Sequence, residues 1–247
     1  MSKGGKDRAK AKRIVEQQKA AERRRRVTIW TSVAVVAVLL IAGLIGWGVL
    51  ANQEKTDAGK LTTPSVAVDD GTAFSVGTGT VVVDLYEDFM CPICHEFETA
   101  TGPTIKQLIS QNKVTVRYHP VSILDRASNG TKYSTRAAGA AAAAAVDGKF
   151  TEYHDVLFAN QPQENSDGLS NAKLIELGKS VGLGDSFSTA VNNGTYESWA
   201  AKATETFTAR RYTGTPTIVV AGKKVEGPDH TLPTTEIFSQ AVSQAAG

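Results

Sequence analysis

From Val27 to Leu50 the chain runs 24 residues without a charged side chain, rich in Val, Leu, Ile and Ala. About 20 apolar residues cross the hydrocarbon core of a bilayer as a helix. Trp30 and Trp47 lie near the two ends, where amphipathic rings favour the interface. A cleaved secretory signal is the competing interpretation, but its apolar core runs to about 7–15 residues. The run therefore reads as an uncleaved transmembrane helix, and it divides the chain. Residues 1–26 carry eleven Lys or Arg against three acids, a net of +8. The whole chain is only +2, so residues 27–247 sum to −6. The basic balance belongs to the tail, which argues against a nucleic-acid-binding domain, whose positive charge would lie on the folded surface. Arg23 to Arg26 abut the run, and Lys/Arg excess stays cytoplasmic. The expectation is a basic cytoplasmic tail (1–26), a transmembrane helix (27–50), a linker (51–71) and an extracytoplasmic domain (72–247). The chain would be a single-pass protein of the cell membrane.

The chain has two cysteines, Cys91 and Cys94, both on the outer side of that division. Structural disulfides of exported domains usually close long loops. A bridge across two residues closes one of the shortest loops possible and gains only about 2 kcal/mol of chain entropy. A domain of this size buries enough surface to fold without staples. Chemistry explains the pair better than stability does.

The local pattern supplies that chemistry. Val81 to Tyr86 is a continuous, mostly β-branched run, the pattern of a buried central strand. It leads through Glu87-Asp88-Phe89-Met90 into the cysteines. Ile93 to about Asn112 has helical spacing, interrupted by Gly102-Pro103, which should kink it. A thiolate at a helix start is stabilised by unpaired N–H groups and the positive end of the dipole. Thiols in such motifs reach pKa values of about 3.5–7.5. Cys91, at the open end, is the expected nucleophile, and Cys94, one turn deeper, the resolving thiol. Pro92 suits the first helical turn because it has no N–H to satisfy. Ile93 brings no charge to stabilise the thiolate further.

Further along, Ala73–Val76 and Val114–Tyr118 read as strands. The Ala-rich stretch Ser134–Val146 reads as a closely packed helix. Phe150–Ala159, Asn171–Val181 and Asp185–Val191 are further helices, forming a block of about 120–194 without strands. Glu197–Arg210 is a helix, Thr217–Val220 and Lys224–Val225 form a hairpin, and Thr234–Ala246 closes the chain. Asn129-Gly130-Thr131 and Asn193-Gly194-Thr195 match the glycosylation sequon, but Asn-Gly is first a turn signal. Gly214-Thr215-Pro216-Thr217 opens a strand. Pro is poorly tolerated inside a sheet, and this placement suits a cis bond.

A strand, CPxC, a long helix, a helical insertion, then Thr-Pro and a hairpin resembles the DsbA-like thiol:disulfide oxidoreductases, in a membrane-anchored bacterial form. The likeness covers about residues 72–247. It implies an α/β thioredoxin fold with an inserted helical domain, here preceded by one transmembrane helix. It implies that Thr215 and a cis Pro216 face Cys91, where the backbone of Thr215 pairs with an extended substrate segment. It implies dithiol–disulfide exchange at Cys91 and Cys94, introducing disulfides into exported proteins with free thiols. No metal or cofactor beyond that disulfide is implied, and a membrane partner of DsbB or VKOR type would reoxidise the pair. Members often carry a buried acid below the site. Glu87 and Asp88 are the nearest candidates, although acids before a helix are by default solvated. Arg210, Arg211, Lys223 and Lys224 read as surface charges, and the face of Asp84 stays open.

Two alternatives remain. The same chemistry can run as a reductase or isomerase, for example in cytochrome c maturation, because direction depends on the potential against the compartment. Cys91-Pro92-Ile93-Cys94-His95 also matches the attachment pattern of c-type haem, which would make a membrane-tethered haem-carrying or interaction domain.

Overall fold

The computed structural model describes residues 61–247. The basic tail and the apolar run at 27–50 lie outside the described residues, and within those residues no helix is long and apolar enough to cross a membrane.

Five strands form one mixed sheet in the order β1-β3-β2-β4-β5. They are β1 (Phe74–Val76), β2 (Val81–Glu87), β3 (Val114–Pro120), β4 (Thr217–Val220) and β5 (Lys223–Lys224). The β-branched run forms the central strand, parallel to β3 and antiparallel to β4. Six of its seven residues are buried, as expected of a strand covered on both faces. Entry to β2 is tight. A Cβ on Gly79 would collide with the backbone of Lys113 and Val114, so only glycine fits there.

Helix α1 (Pro92–Ser110) begins where β2 ends. It continues unbroken through Gly102 and Pro103, where the sequence suggested an interruption. Between β3 and β4 lie α2 (Tyr133–Val146), α3 (Phe150–Ala159), α4 (Asn171–Ser180), α5 (Asp185–Asn192) and α6 (Glu197–Ala209), and α7 (Thr235–Ala245) closes the chain. Helix α2 is buried over nearly its whole length. Its alanines allow close neighbours: a Cβ on Gly139 would lie 3.3 Å from the backbone of Tyr196 and Glu197. Phe74, Tyr118, Phe150, Trp199 and Phe238 join the strands to the surrounding helices in one core.

Strand and helix ends shift by one or two residues from the sequence reading. Strand β3 runs on to Pro120 opposite Glu87. The Val121 N–H then donates to the Glu87 carbonyl at 2.8 Å. Before β1, the end of the expected linker is held to the domain. Asp69 pairs with Arg117 at 2.9 Å and with Arg210 at 2.7 Å, and Ala73 bridges back to Val68. Arg210 is therefore a partly buried network residue rather than the free surface charge read from sequence.

Candidate active site

The site forms where the end of β2 meets the start of α1 and the start of β4. Cys91 is the N-cap of α1 in extended conformation, with Pro92 at the first helical position and no acid in the first turn. Both cysteines are unbridged. Cys94 is fully buried and Cys91 is 6% exposed, more enclosed than the open position expected of it. Apolar surface beside it comes from Ile93, which is 45% exposed.

The Thr215–Pro216 peptide is cis. The Cys91 thiol donates to the Thr215 carbonyl at 3.3 Å, so the CPxC turn and the Thr-Pro strand start, distant in sequence, become one site. Gln161 supports the turn, its amide donating to the carbonyls of Cys91 at 2.9 Å and Phe89 at 3.2 Å. Beside Ile93 and Thr215 lies an open groove of about 220 Å³, with Thr217, Lys224, Glu226 and His230 further along it.

The two thiols are driven apart electrostatically. The Cys94 thiol donating to Cys91, the Thr215 side chain and the amides of Cys94 and Ile93 together outweigh burial and lower the Cys91 pKa from 9.0 to about 6. Burial, the hydrogen bond to Cys91 and the charge of Glu87 hold Cys94 well above the usual thiol value. At neutral pH one sulfur is a thiolate and the other a thiol, the division that exchange requires.

Neither acid before the helix is solvated, contrary to the default drawn from sequence. Asp88 is fully buried. It accepts from the Met90 N–H at 2.9 Å, the Leu124 N–H at 2.9 Å and the Ser134 hydroxyl at 2.6 Å. Burial nevertheless pushes its pKa up to about 7. Three donors make it a clamp between the CPxC turn and the helical insertion. Glu87 is 3% exposed, and its Oε2 pairs with His154 Nε2 at 2.9 Å. Burial opposes a charge on the His154 ring, but Asp155 and Glu87 raise it to about 10. Burial and the neighbouring Glu87 push Glu98 up to about 8.

Sequence reasoning missed His154, Glu98 and Gln161. The one available signal was spacing: Glu98 lies four residues after Cys94, on the same helix face. Nothing local marked His154 or Gln161. Asp84, left open from sequence, is buried, with Arg117 bidentate on its carboxylate at 2.6 and 2.8 Å and His119 at 3.1 Å. His95, which completes the haem attachment pattern in the sequence, is half-buried, its Nδ1 2.9 Å from the Phe158 carbonyl.

A strand-fed CPxC at a helix N-cap facing a cis proline defines a dithiol protein of thioredoxin fold. The thioredoxin family model matches residues 77–241, and the chain belongs to that family. Among solved structures it is similar to those of DsbA- and DsbG-type thiol–disulfide oxidoreductases. Reduced DsbG from Mycobacterium tuberculosis is 33% identical with a TM-score of 0.59, over 75% of this chain and 86% of that one. Reduced DsbA from the same organism is 30% identical with a TM-score of 0.56, over 70% and 99%. MdbA from Actinomyces oris, 24% identical with a TM-score of 0.61 over 76% and 94%, shares the fold. Among curated proteins, the serine/threonine-protein kinase PknE of M. tuberculosis is 28% identical over 159 residues, 60% of this chain. The match spans only 28% of that kinase.

Proposed function

We propose that the chain is an extracytoplasmic thiol–disulfide oxidoreductase that introduces disulfides into exported proteins. The observation that carries this reading is the Cys91 sulfur, with its pKa lowered to about 6, set 3.3 Å from the backbone carbonyl of Thr215. In the oxidised protein a substrate thiolate attacks Cys91 and expels Cys94 as the leaving thiol. The mixed disulfide between substrate and Cys91 is then resolved by the substrate's second thiolate. Both electrons stay on the enzyme as the dithiol, and the substrate leaves oxidised. The backbone of Thr215 holds the substrate segment in extended form beside the sulfur, and Ile93 offers it an apolar contact.

Direction follows from what stabilises the reduced form. A low Cys91 pKa favours the dithiol state and so makes the disulfide more oxidising. The value of about 6 lies between those of thioredoxin, about 7, and DsbA, about 3.5. The likeness to DsbA and DsbG supports the same chemistry. The apolar run at 27–50 would anchor the domain outside the membrane, near a quinone-linked partner of DsbB or VKOR type that takes the electrons away.

Equilibration with glutathione tests this reading. The expected potential lies between about −270 mV, that of thioredoxin, and about −120 mV, that of DsbA. A potential towards the DsbA end supports the oxidase direction, and one near about −270 mV would make the protein a reductase and overturn it.

A further inference from the structure

Two clusters of acids with a histidine occur among the described residues: Asp69–Asp84–His119 and Glu87–Glu98–His154. Their charge balance differs. In the first, Arg117 forks onto Asp84, and Arg117 and Arg210 both pair with Asp69. Two guanidinium groups already fill the place a cation would take. In the second, no Lys or Arg among the described residues pairs with either glutamate, and the ion pair present is Glu87 with His154. Glu87 Oε1 and Glu98 Oε1 are both buried without a hydrogen-bond partner. Buried carboxylate oxygens are costly to leave unpartnered, so two in one three-residue cluster call for an occupant.

We propose that Glu87, Glu98 and His154 form a binding site for a divalent transition-metal ion, with zinc the ion that fits the donor set. One donor atom from each residue lies within 4.8 Å of the others. Tetrahedral zinc with bonds of about 2.1 Å separates its ligands by about 3.4 Å, so a small movement of the carboxylates closes the site. Two carboxylate oxygens and one imidazole nitrogen leave the fourth position for water, as in zinc sites with three protein ligands. An imidazole donor disfavours magnesium and calcium, which prefer oxygen alone.

The surroundings suit such an ion. Glu98 and His154 line an open cavity of about 430 Å³ between α1 and α3, which provides entry and room for the water. Lys106 also lines it, but is paired with Asp155 at 2.6 Å. Asp155 Oδ1 lies 3.8 Å from His154 Nδ1, where an outer carboxylate orients a metal-bound imidazole through its other nitrogen. The ligands come from β2, α1 and α3, so the ion would tie the strand and helix of the cysteine pair to the helical insertion. Neither sulfur is a ligand, although an ion there would offset the Glu87 charge that helps hold the Cys94 thiol high.

The test uses the full chain in detergent with its cysteines oxidised, so that no thiol competes. Zinc chloride is titrated by calorimetry, and cobalt(II) by visible absorption. The expected result is one ion per chain with a Kd below about 10 μM, and a cobalt spectrum without a thiolate charge-transfer band. Glu98→Gln and His154→Gln should each weaken zinc binding at least about tenfold. Glu98 is half-buried at the cavity edge, so its variant tests the site even where His154→Gln fails to fold, and melting curves identify the folded variants. Absence of saturable binding to the oxidised chain would overturn the proposal and leave the two carboxyls as a proton-sharing pair. Undiminished binding in a folded variant would overturn it as well.

Discussion

The Cys91 thiol lies 3.3 Å from the carbonyl oxygen of Thr215, 124 positions away in sequence. The sulfur therefore sits at the N-cap of one element and against the entry strand of another. The helix end supplies amide N–H groups, and the strand start supplies a backbone edge and the Thr215 side chain. Neither segment alone would produce an activated thiol with a place for its substrate.

Titration of the reduced protein should show one thiolate forming near pH 6 by ultraviolet absorbance, with Cys94 still silent at pH 8. The sign for stability follows. The folded pKa of Cys91, about 6, is below its reference value of 9.0, so the group's contribution is fully present above 9 and is lost as pH falls through 6. The stability of the reduced form relative to the oxidised form should rise between pH 6 and 9. Urea melts of both forms across that range check it, and a flat difference would show that Cys91 is not depressed.

Thr215→Val removes the side chain that helps lower the Cys91 pKa while keeping its shape. The Thr215 hydroxyl oxygen is buried without a partner in the reduced protein, free to turn to the thiolate. A hydrogen bond to a charged group is worth about 1.5–3 kcal/mol, so the Cys91 titration should move up by about one to two units. An unchanged midpoint would leave the helix amides and Cys94 as the whole cause.

Cys94→Ala should accumulate mixed disulfides, formed when the low-pKa Cys91 thiolate attacks a disulfide of an exported protein and expels one of its thiolates, because Cys94 is no longer there to displace the partner from Cys91. Cys91→Ala should accumulate none, since Cys94 is fully buried and its pKa is held high. Non-reducing gels of whole cells distinguish the two. Equal trapping by both variants would contradict the assigned roles.

The strand-then-helix frame was legible because it is written in local pattern: a β-branched run, a proline at a helix start, an alanine stretch. Cys91 and Cys94 were legible from their isolation and spacing, whereas Thr215 and Pro216 were placed at the site by the resemblance to the DsbA-like family. The acids were not. Polarity marks Glu87 and Asp88 as solvated, and what buries them is remote: His154 lies 67 residues from Glu87, and Ser134 lies 46 from Asp88. Arg210 was misjudged for the same reason, since its partner Asp69 lies on the far side of the whole fold in sequence. Buried charge is a property of pairs, and pairs separated by dozens of residues leave no periodic trace.

Asp88→Ala should remove the acceptor for three donors at once, two of them backbone amides. Leaving buried donors unsatisfied costs about 1–3 kcal/mol each, partly relieved by water entering the gap. A net loss of about 3 kcal/mol in denaturant unfolding is expected, with the CPxC turn loosened. A loss below 1 kcal/mol would mean that the clamp between Met90, Leu124 and Ser134 is not needed.

The two ion pairs Arg117–Asp84 and Lys106–Asp155 have the same shortest distance, 2.6 Å, but not the same surroundings. Asp84 has a side chain only 8% exposed, while Lys106 and Asp155 are 50% and 40% exposed. Removing one partner of a buried pair strands the other charge and costs about 3–5 kcal/mol, whereas an exposed pair contributes about 0–1 kcal/mol. Arg117→Ala should therefore destabilise by about 3 kcal/mol, and Lys106→Ala by less than about 1 kcal/mol. The pH dependence separates charge from packing. Burial alone would raise the Asp84 pKa, but His119 and Arg117 hold it below 3.8. The pair's contribution is thus present above pH 4 and is lost as pH falls through the depressed value. The gap between Arg117→Ala and the parent should narrow in acid. A gap that stays constant down to pH 2 would assign the loss to the packing of the arginine stem instead of its charge.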